Sequence, residues 1–204
     1  MRMSKLHPLA FTGLLAAAAV SAAAFAAIVS VTASAQESHS GAERYTATAM
    51  DLNRGSAGHI DLTVNRWSTD AQRDALLAVL ERKGADKLLD ALQDMPSVGH
   101  FGAPGQLSWD LRFARKTQDA DGGVRIVLVT DRPINFFEAA NQPRSITYPF
   151  TVIELRLDRD GNGEGKMSTA TKIVADKKHG TITLENYELQ PVQLTHVTRD
   201  TSEN

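Results

Sequence analysis

The chain has 204 residues, a formal charge of −2 and no cysteine. That length fits one or two domains, and the slightly acidic balance argues against nucleic acid as a partner. Without cysteine there is no disulfide framework and no thiol to carry a lipoprotein anchor.

Arg2 and Lys5 precede an Ala-rich apolar run from Leu9 to Val31, and Ala33-Ser34-Ala35 follows it. A charged start, an apolar middle and an A-x-A end predict a secretory signal peptide over residues 1–35. The alternative is an uncleaved anchor, since about 20 apolar residues can span a bilayer. The weak hydrophobicity of the run favours cleavage. Cleavage would remove Arg2 and Lys5, move the formal charge from −2 to −4, and leave no transmembrane span. It would place the protein in a periplasm or outside the cell, and the lack of disulfides leans toward a bacterial source. Residues 36–42 are polar and read as a disordered mature N-terminus.

A single domain is predicted over residues 43–199. Glu43 to Leu52 reads as a strand, with Tyr45, Ala47 and Ala49 on one face. After a turn at 53–58, Ile60, Leu62 and Val64 alternate with polar residues, which makes a first hairpin. The period then changes to helical over residues 69–95. Thr69 and Gln72 fit a capping box, and Leu76, Val79 and Leu80 share a helical face. Asp70 and Asp74 near the start and Arg82 and Lys83 near the end complement the helix dipole. A second helix carries Leu88, Leu92 and Met95 and stops at Pro96. This αα-hairpin reads as core packing ahead of a docking surface.

Residues 96–106 hold three glycines and two prolines and read as loop. His100 within it reads as a surface residue ahead of a ligand or acid-base group. Leu107 to Lys116 is a strand with Leu107, Trp109, Leu111 and Phe113 on one face. Val124 to Thr130 is nearly continuously apolar, as in a central strand with both faces covered. Asp131 to Pro149 is a long connection in which Pro133, Pro143 and Pro149 bracket Phe136 and Phe137; long connections tend to be functional. Phe150 to Leu157 is a strand with Ile153, Leu155 and Leu157 on one face. It turns through an Asp/Gly/Asn cluster, Asp158 to Gly165, into a second strand. Residues 172–180 turn again. Thr181 to Tyr187 and Val192 to Arg199 form the last hairpin, and residues 200–204 are a frayed tail.

The expected fold is mainly β within the α+β class. About eight antiparallel strands in successive hairpins form a barrel or curled sheet with an inserted αα-hairpin; a β-sandwich is the alternative.

Two surfaces carry site expectations. The hairpin tip places Asp158, Asp160 and Asn162 at positions 1, 3 and 5 of an EF-hand-like pattern, with Glu164 as a further oxygen donor. Position 12 is Thr169 and strands flank the loop, so a plain solvated turn is the leading reading and weak calcium binding the alternative. The second surface is a ligand site of Phe136, Phe137 and Trp109, with the 131–149 loop over one barrel mouth. The leading alternative there is that both Phe rings plug the core. No nucleophile elbow, HExxH, Walker or Rossmann pattern occurs, and the histidines are scattered singly.

The phrases RYTATAMDL, NRWSTDAQRDALL, PGQLSWDLRFAR, VLVTDRPI, NQPRSITYPFTVIELRLD and LENYELQPV resemble a family of uncharacterised exported bacterial proteins, over nearly all of the chain beyond residue 35. The family has no assigned activity, so the resemblance implies export and a single domain only. The functional expectation is a non-catalytic binding module for a small apolar or amphipathic molecule or an envelope partner. An envelope hydrolase with a loop-built site, or an envelope assembly protein docking through its helices, are the alternatives. No cofactor beyond that calcium candidate is expected.

Overall fold

A computed structural model describes residues 41–134, 148–176, 181–186 and 190–200. Among them are ten strands and two helices. Strands β1 (Glu43–Asp51) and β2 (Ser56–Val64) lead to helices α1 (Asp70–Lys83) and α2 (Ala85–Gln93). Strands β3 (Gly99–Gly102), β4 (Trp109–Leu111), β5 (Phe113–Gln118) and β6 (Val124–Val129) follow. The chain continues through β7 (Phe150–Leu157), β8 (Asn162–Asp176), β9 (Thr181–Asn186) and β10 (Val192–Asp200).

The ladders are antiparallel, and their order is β4-β3-β2-β1-β10-β8-β7-β6-β5, with β9 attached to β8. The two ends of that order, β4 and β5, are neighbours in sequence with only Arg112 between them, so the sheet must curl round on itself. The free edge of β5 is met by Ser68. Its N–H donates to the Ala114 carbonyl at 2.7 Å, and its hydroxyl accepts from the Ala114 N–H at 3.1 Å. A nearly closed barrel results, and closure is how a sheet of short strands hides its unpaired edges.

Period-2 alternation decides what fills the barrel. Tyr45 and Ala47 of β1, Ile60, Leu62 and Val64 of β2, Ile126 and Leu128 of β6, and Ile153, Leu155 and Leu157 of β7 all face one buried core. The opposite faces of β5 to β8 present Phe113, Val127, Val129, Val152 and Ile173. Leu80, Leu88 and Leu92 of the two helices pack on them as a second core. β6 is therefore covered on both faces, as its continuous apolar run predicts. The helix start also follows the sequence. Thr69 Oγ1 accepts from the Gln72 N–H at 3.2 Å, and Gln72 Oε1 accepts from the Thr69 N–H at 2.9 Å.

Several local expectations are corrected. Residues 99–102 are strand β3, not loop. Gly99 stands there because β2 comes close: a Cβ on it would lie 2.1 Å from the Thr63 carbonyl oxygen. The glycine marks a close backbone approach rather than a turn. The expected strand Leu107–Lys116 is two strands. Leu107 is 89% exposed. Across Arg112 the facing changes, with Leu111 in the barrel core and Phe113 under the helices. Arg112 anchors that corner by donating from Nε to Asp131 Oδ2 at 3.2 Å and from Nη1 to the Met95 carbonyl at 3.0 Å.

β8 runs on to Asp176 where a turn was expected from Lys172. β9 pairs with β8, and β10 pairs with β1 and β8. The last two strands thus do not form a hairpin with each other. β10 also carries a bulge: Thr46 and Thr48 of β1 face Thr198 and Thr195, one residue out of step, with His196 at φ 50°. A bulge of this kind bends its strand and increases the local twist, as a closing barrel requires.

Candidate functional site

Of the expected ligand residues, Phe136 and Phe137 lie outside the described residues. Trp109 is half-buried against the end of the barrel core, with its ring 5.7 Å from that of Phe101 at a tilt of 38°. It reads as a packing residue, because Phe101, its cross-strand partner, is fully buried.

The four oxygen-bearing residues of the hairpin tip follow one another round the β7–β8 turn. Asp158 Oδ1 accepts from the N–H groups of Asp160 and Asn162, each at 2.9 Å, which is Asx-turn chemistry. Asp158, Asp160, Asn162 and Glu164 line an open cleft together with Arg156 and Arg159. Among the described residues no three His, Asp or Glu side chains are grouped as a metal site.

One barrel mouth is filled by a polar cluster that sequence reading missed. Glu43 is on the inward face at the start of β1, and Lys116 is on β5, a strand to which β1 is not hydrogen-bonded. Lys116 Nζ donates across the mouth to both Glu43 oxygens, at 2.8 and 2.9 Å. The Tyr45 hydroxyl donates to Glu43 Oε2 at 2.7 Å, and Trp67 Nε1 donates to Oε1 at 3.0 Å. The Lys116 ammonium lies 5.2 Å from the Trp67 ring centroid, a cation–π distance. Burial by itself raises the Glu43 pKa. The hydrogen bonds from Lys116 and Tyr45, the Lys116 charge and the Trp67 bond outweigh it and hold the carboxyl below its ordinary range. Burial, and then the bond to Glu43 and its charge, push the Tyr45 hydroxyl far above its ordinary value. These residues lie on three separate segments with no characteristic spacing, so one sequence carries no signal for them.

The second concave surface is apolar. A groove of about 270 Å³ lies between α1, α2 and the outer faces of β5 to β9. Every residue lining it is apolar except Arg73 and Arg115. Leu76, Leu77 and Leu80 form its helical wall. Ile182 and Leu184 of β9 form the opposite lip and remain 50% and 40% exposed. The two arginines are already matched: Arg115 bonds Asp70 at 2.6 Å, and Arg73 bonds Asp74 at 2.7 Å. Burying an Ile or Leu side chain fully is worth about 1.5–3 kcal/mol. The half-exposed pair on β9 leaves roughly half of that unrealised, which a bound apolar group would recover. The signal for this surface was present in sequence as Ile182 and Leu184 alternating with Thr and Glu, but the partner face was not.

The barrel interior itself is occupied by its own side chains, with Leu62, Leu111, Ile126, Leu128, Ile153, Leu155 and Leu194 all at 0% exposure. Compared with known proteins, the chain matches no protein-family model, no curated protein and no solved structure.

Proposed function

We propose that this chain is an exported, non-catalytic binding module. It takes the aliphatic part of a small apolar or amphipathic molecule in the groove between the helix pair and strands β5–β9. The observation that carries the reading is the groove's lining, apolar but for Arg73 and Arg115, with Ile182 and Leu184 left half-exposed at its lip. Binding sites for small molecules are concave and mostly apolar, about 300–1,000 Å³ in volume. A groove of about 270 Å³ suits one acyl tail or a small ring system rather than a large cofactor. Because Arg73 and Arg115 are balanced by Asp70 and Asp74, the bound part is uncharged and a polar head stays toward solvent. The barrel interior supplies no room for the ligand, since its own side chains fill it.

The test is a titration of the full chain with a fluorescent medium-chain fatty-acid analogue. Saturable binding is expected, competed by unlabelled fatty acid and lost in an Ile182→Asp, Leu184→Asp variant whose far-UV circular dichroism is unchanged. No saturable binding, or equal binding by the variant, overturns the reading. Export is tested separately by N-terminal sequencing of the protein from an envelope or culture fraction, where Gln36 is the expected first residue.

A further inference from the structure

Beside the Glu43 cluster, at the same barrel mouth, lies a cavity of about 190 Å³ lined by Tyr45, Lys116, Arg159 and Arg199 among others. The turns on either side are shaped to hold the two arginines. Arg159 lies over Gly122 in the β5–β6 turn, where an added Cβ would come within 2.6 Å of its Nε. Gly122 has φ 86°, so a side chain there would be strained as well as obstructive. Arg159 Nε donates to the Asp121 carbonyl at 2.7 Å, and its Nη2 donates to the same oxygen. One end of the guanidinium is thus fixed by a neutral group. Arg199 lies over Gly161 in the β7–β8 turn, its Cβ 3.1 Å from where a Gly161 Cβ would sit. The Arg199 N–H donates to the Gly161 carbonyl at 2.8 Å. Arg199 faces Tyr45 across the β1–β10 ladder, so its side chain starts on the inward face of the barrel.

The charges in this cavity do not balance. Lys116 is paired with Glu43. Neither Arg159 nor Arg199 is ion-paired with a carboxylate among the described residues; Asp158 is the one acidic residue lining the cavity, and Asp119, Asp121, Asp160 and Glu164 line the adjoining cleft that Arg159 also borders. The cationic lining stands in a chain whose formal charge is −2. Arg159 and Arg199 are both exposed at this mouth, so an anion can reach them from solvent. Guanidinium forks match the geometry of carboxylate and phosphate oxygens.

We propose that this mouth of the barrel is a binding site for a small oxyanion, a phosphate or carboxylate group, held by Arg159 and Arg199 beside the Glu43–Lys116 pair. The site is separate from the apolar groove, which opens on the outer face under the helices.

The experiment is a thermal-melt titration of the full chain with inorganic phosphate, glycerol phosphate and acetate, each at an ionic strength matched with sodium chloride. A rise in Tm that saturates with at least one of them is expected, because an anion bound only by the folded state stabilises it by mass action. Calorimetric titration of Arg199→Gln should show affinity weaker by about tenfold or more, since the substitution removes a charge-assisted donor from the anion. Arg199 is exposed, so this variant is expected to fold. Arg156→Gln, on the outer face of β7, should bind as the wild type does. A stronger response to glycerol phosphate than to phosphate assigns the site to a phosphomonoester group, and the reverse assigns it to the free ion. A Tm that follows ionic strength alone, or a response unchanged in Arg199→Gln, overturns the proposal.

Discussion

Glu43 concentrates three donors on one carboxylate, and those donors come from β1, β5 and the segment before α1. Replacing it by Gln keeps the shape but removes the charge that Lys116 faces across the barrel mouth. A loss of about 1–3 kcal/mol is expected at pH 7 from urea denaturation. The pH dependence has a definite sign. The folded carboxyl titrates below its ordinary value of 4.5, so the unfolded chain takes up the proton first as pH falls. The contribution of Glu43 is complete above about pH 4.5 and disappears as pH drops through the folded pKa. Glu43→Gln should therefore lose less stability than the wild type as pH falls from neutral to below 4.5. Equal acid limbs for the two proteins would show that the cluster does not stabilise the fold. Glu43 is also a measure of what a single sequence hides. It opens a strand and looks solvated; only the curl of the sheet brings Lys116 and Trp67 to it.

Helix α1 is specified locally at its start and by tertiary contact along its length. Both bonds of the capping box are made, and Thr69→Ala should cost about 1 kcal/mol by thermal melting. Leu80 is 5% exposed beneath the helix, whereas Ile182 on the facing strand is 50% exposed. Leu80→Ala is expected to cost about 2–5 kcal/mol because it opens a cavity in a packed layer. Ile182→Ala should stay within about 1 kcal/mol, since its site is already half-solvated. Comparable losses for the two substitutions, measured by chemical denaturation, would mean that β9 is structural and that the groove is not available to a ligand. Strand β9 is itself the element where local pattern and neighbour choice part company. Thr181 to Asn186 reads as a strand and is one, but it pairs with the far end of β8. β10, expected as its hairpin partner, instead joins β8 to β1.

At the scale of the whole molecule the barrel has a graded protection that follows its topology. β1, β10, β8 and β7 have strand partners on both sides, and their inward residues lie in the larger core. β9 pairs only with β8 among the described strands and is exposed along most of its length. Native-state hydrogen exchange should find the slowest amides in β7 and β10, opening only with global unfolding, and the fastest strand amides in β9. Amides of β9 as slow as those of β7 would show that the 8–9 hairpin is an integral part of the cooperative unit. The same topology separates two concave surfaces: a charged mouth at the Glu43 end and an apolar groove outside the barrel. An amphiphile bound in the groove leaves the mouth free, so effects of oxyanions and of amphiphiles on Tm should add.

The sequence alone determined the class of the fold, because alternation and periodicity are properties of short windows. Ile60, Leu62 and Val64, the double-sided run of β6, the Thr69–Gln72 cap and the β7–β8 turn all read correctly for that reason. Closure, by contrast, depends on which strands meet. The β4–β5 corner at Arg112, the bulge at His196 and the pairing of β10 with β1 involve residues far apart in the chain. Glycines misled the reading at Gly99, because the same absence of a side chain serves a loop and a close approach between strands. The two surfaces to which function is assigned exist only once the sheet has curled. The cations of the mouth come from β5, the β7–β8 turn and β10, and the groove needs a helix wall and a strand lip more than a hundred residues apart in sequence. Convergence of that kind is set by tertiary packing, and no local pattern of residues encodes it.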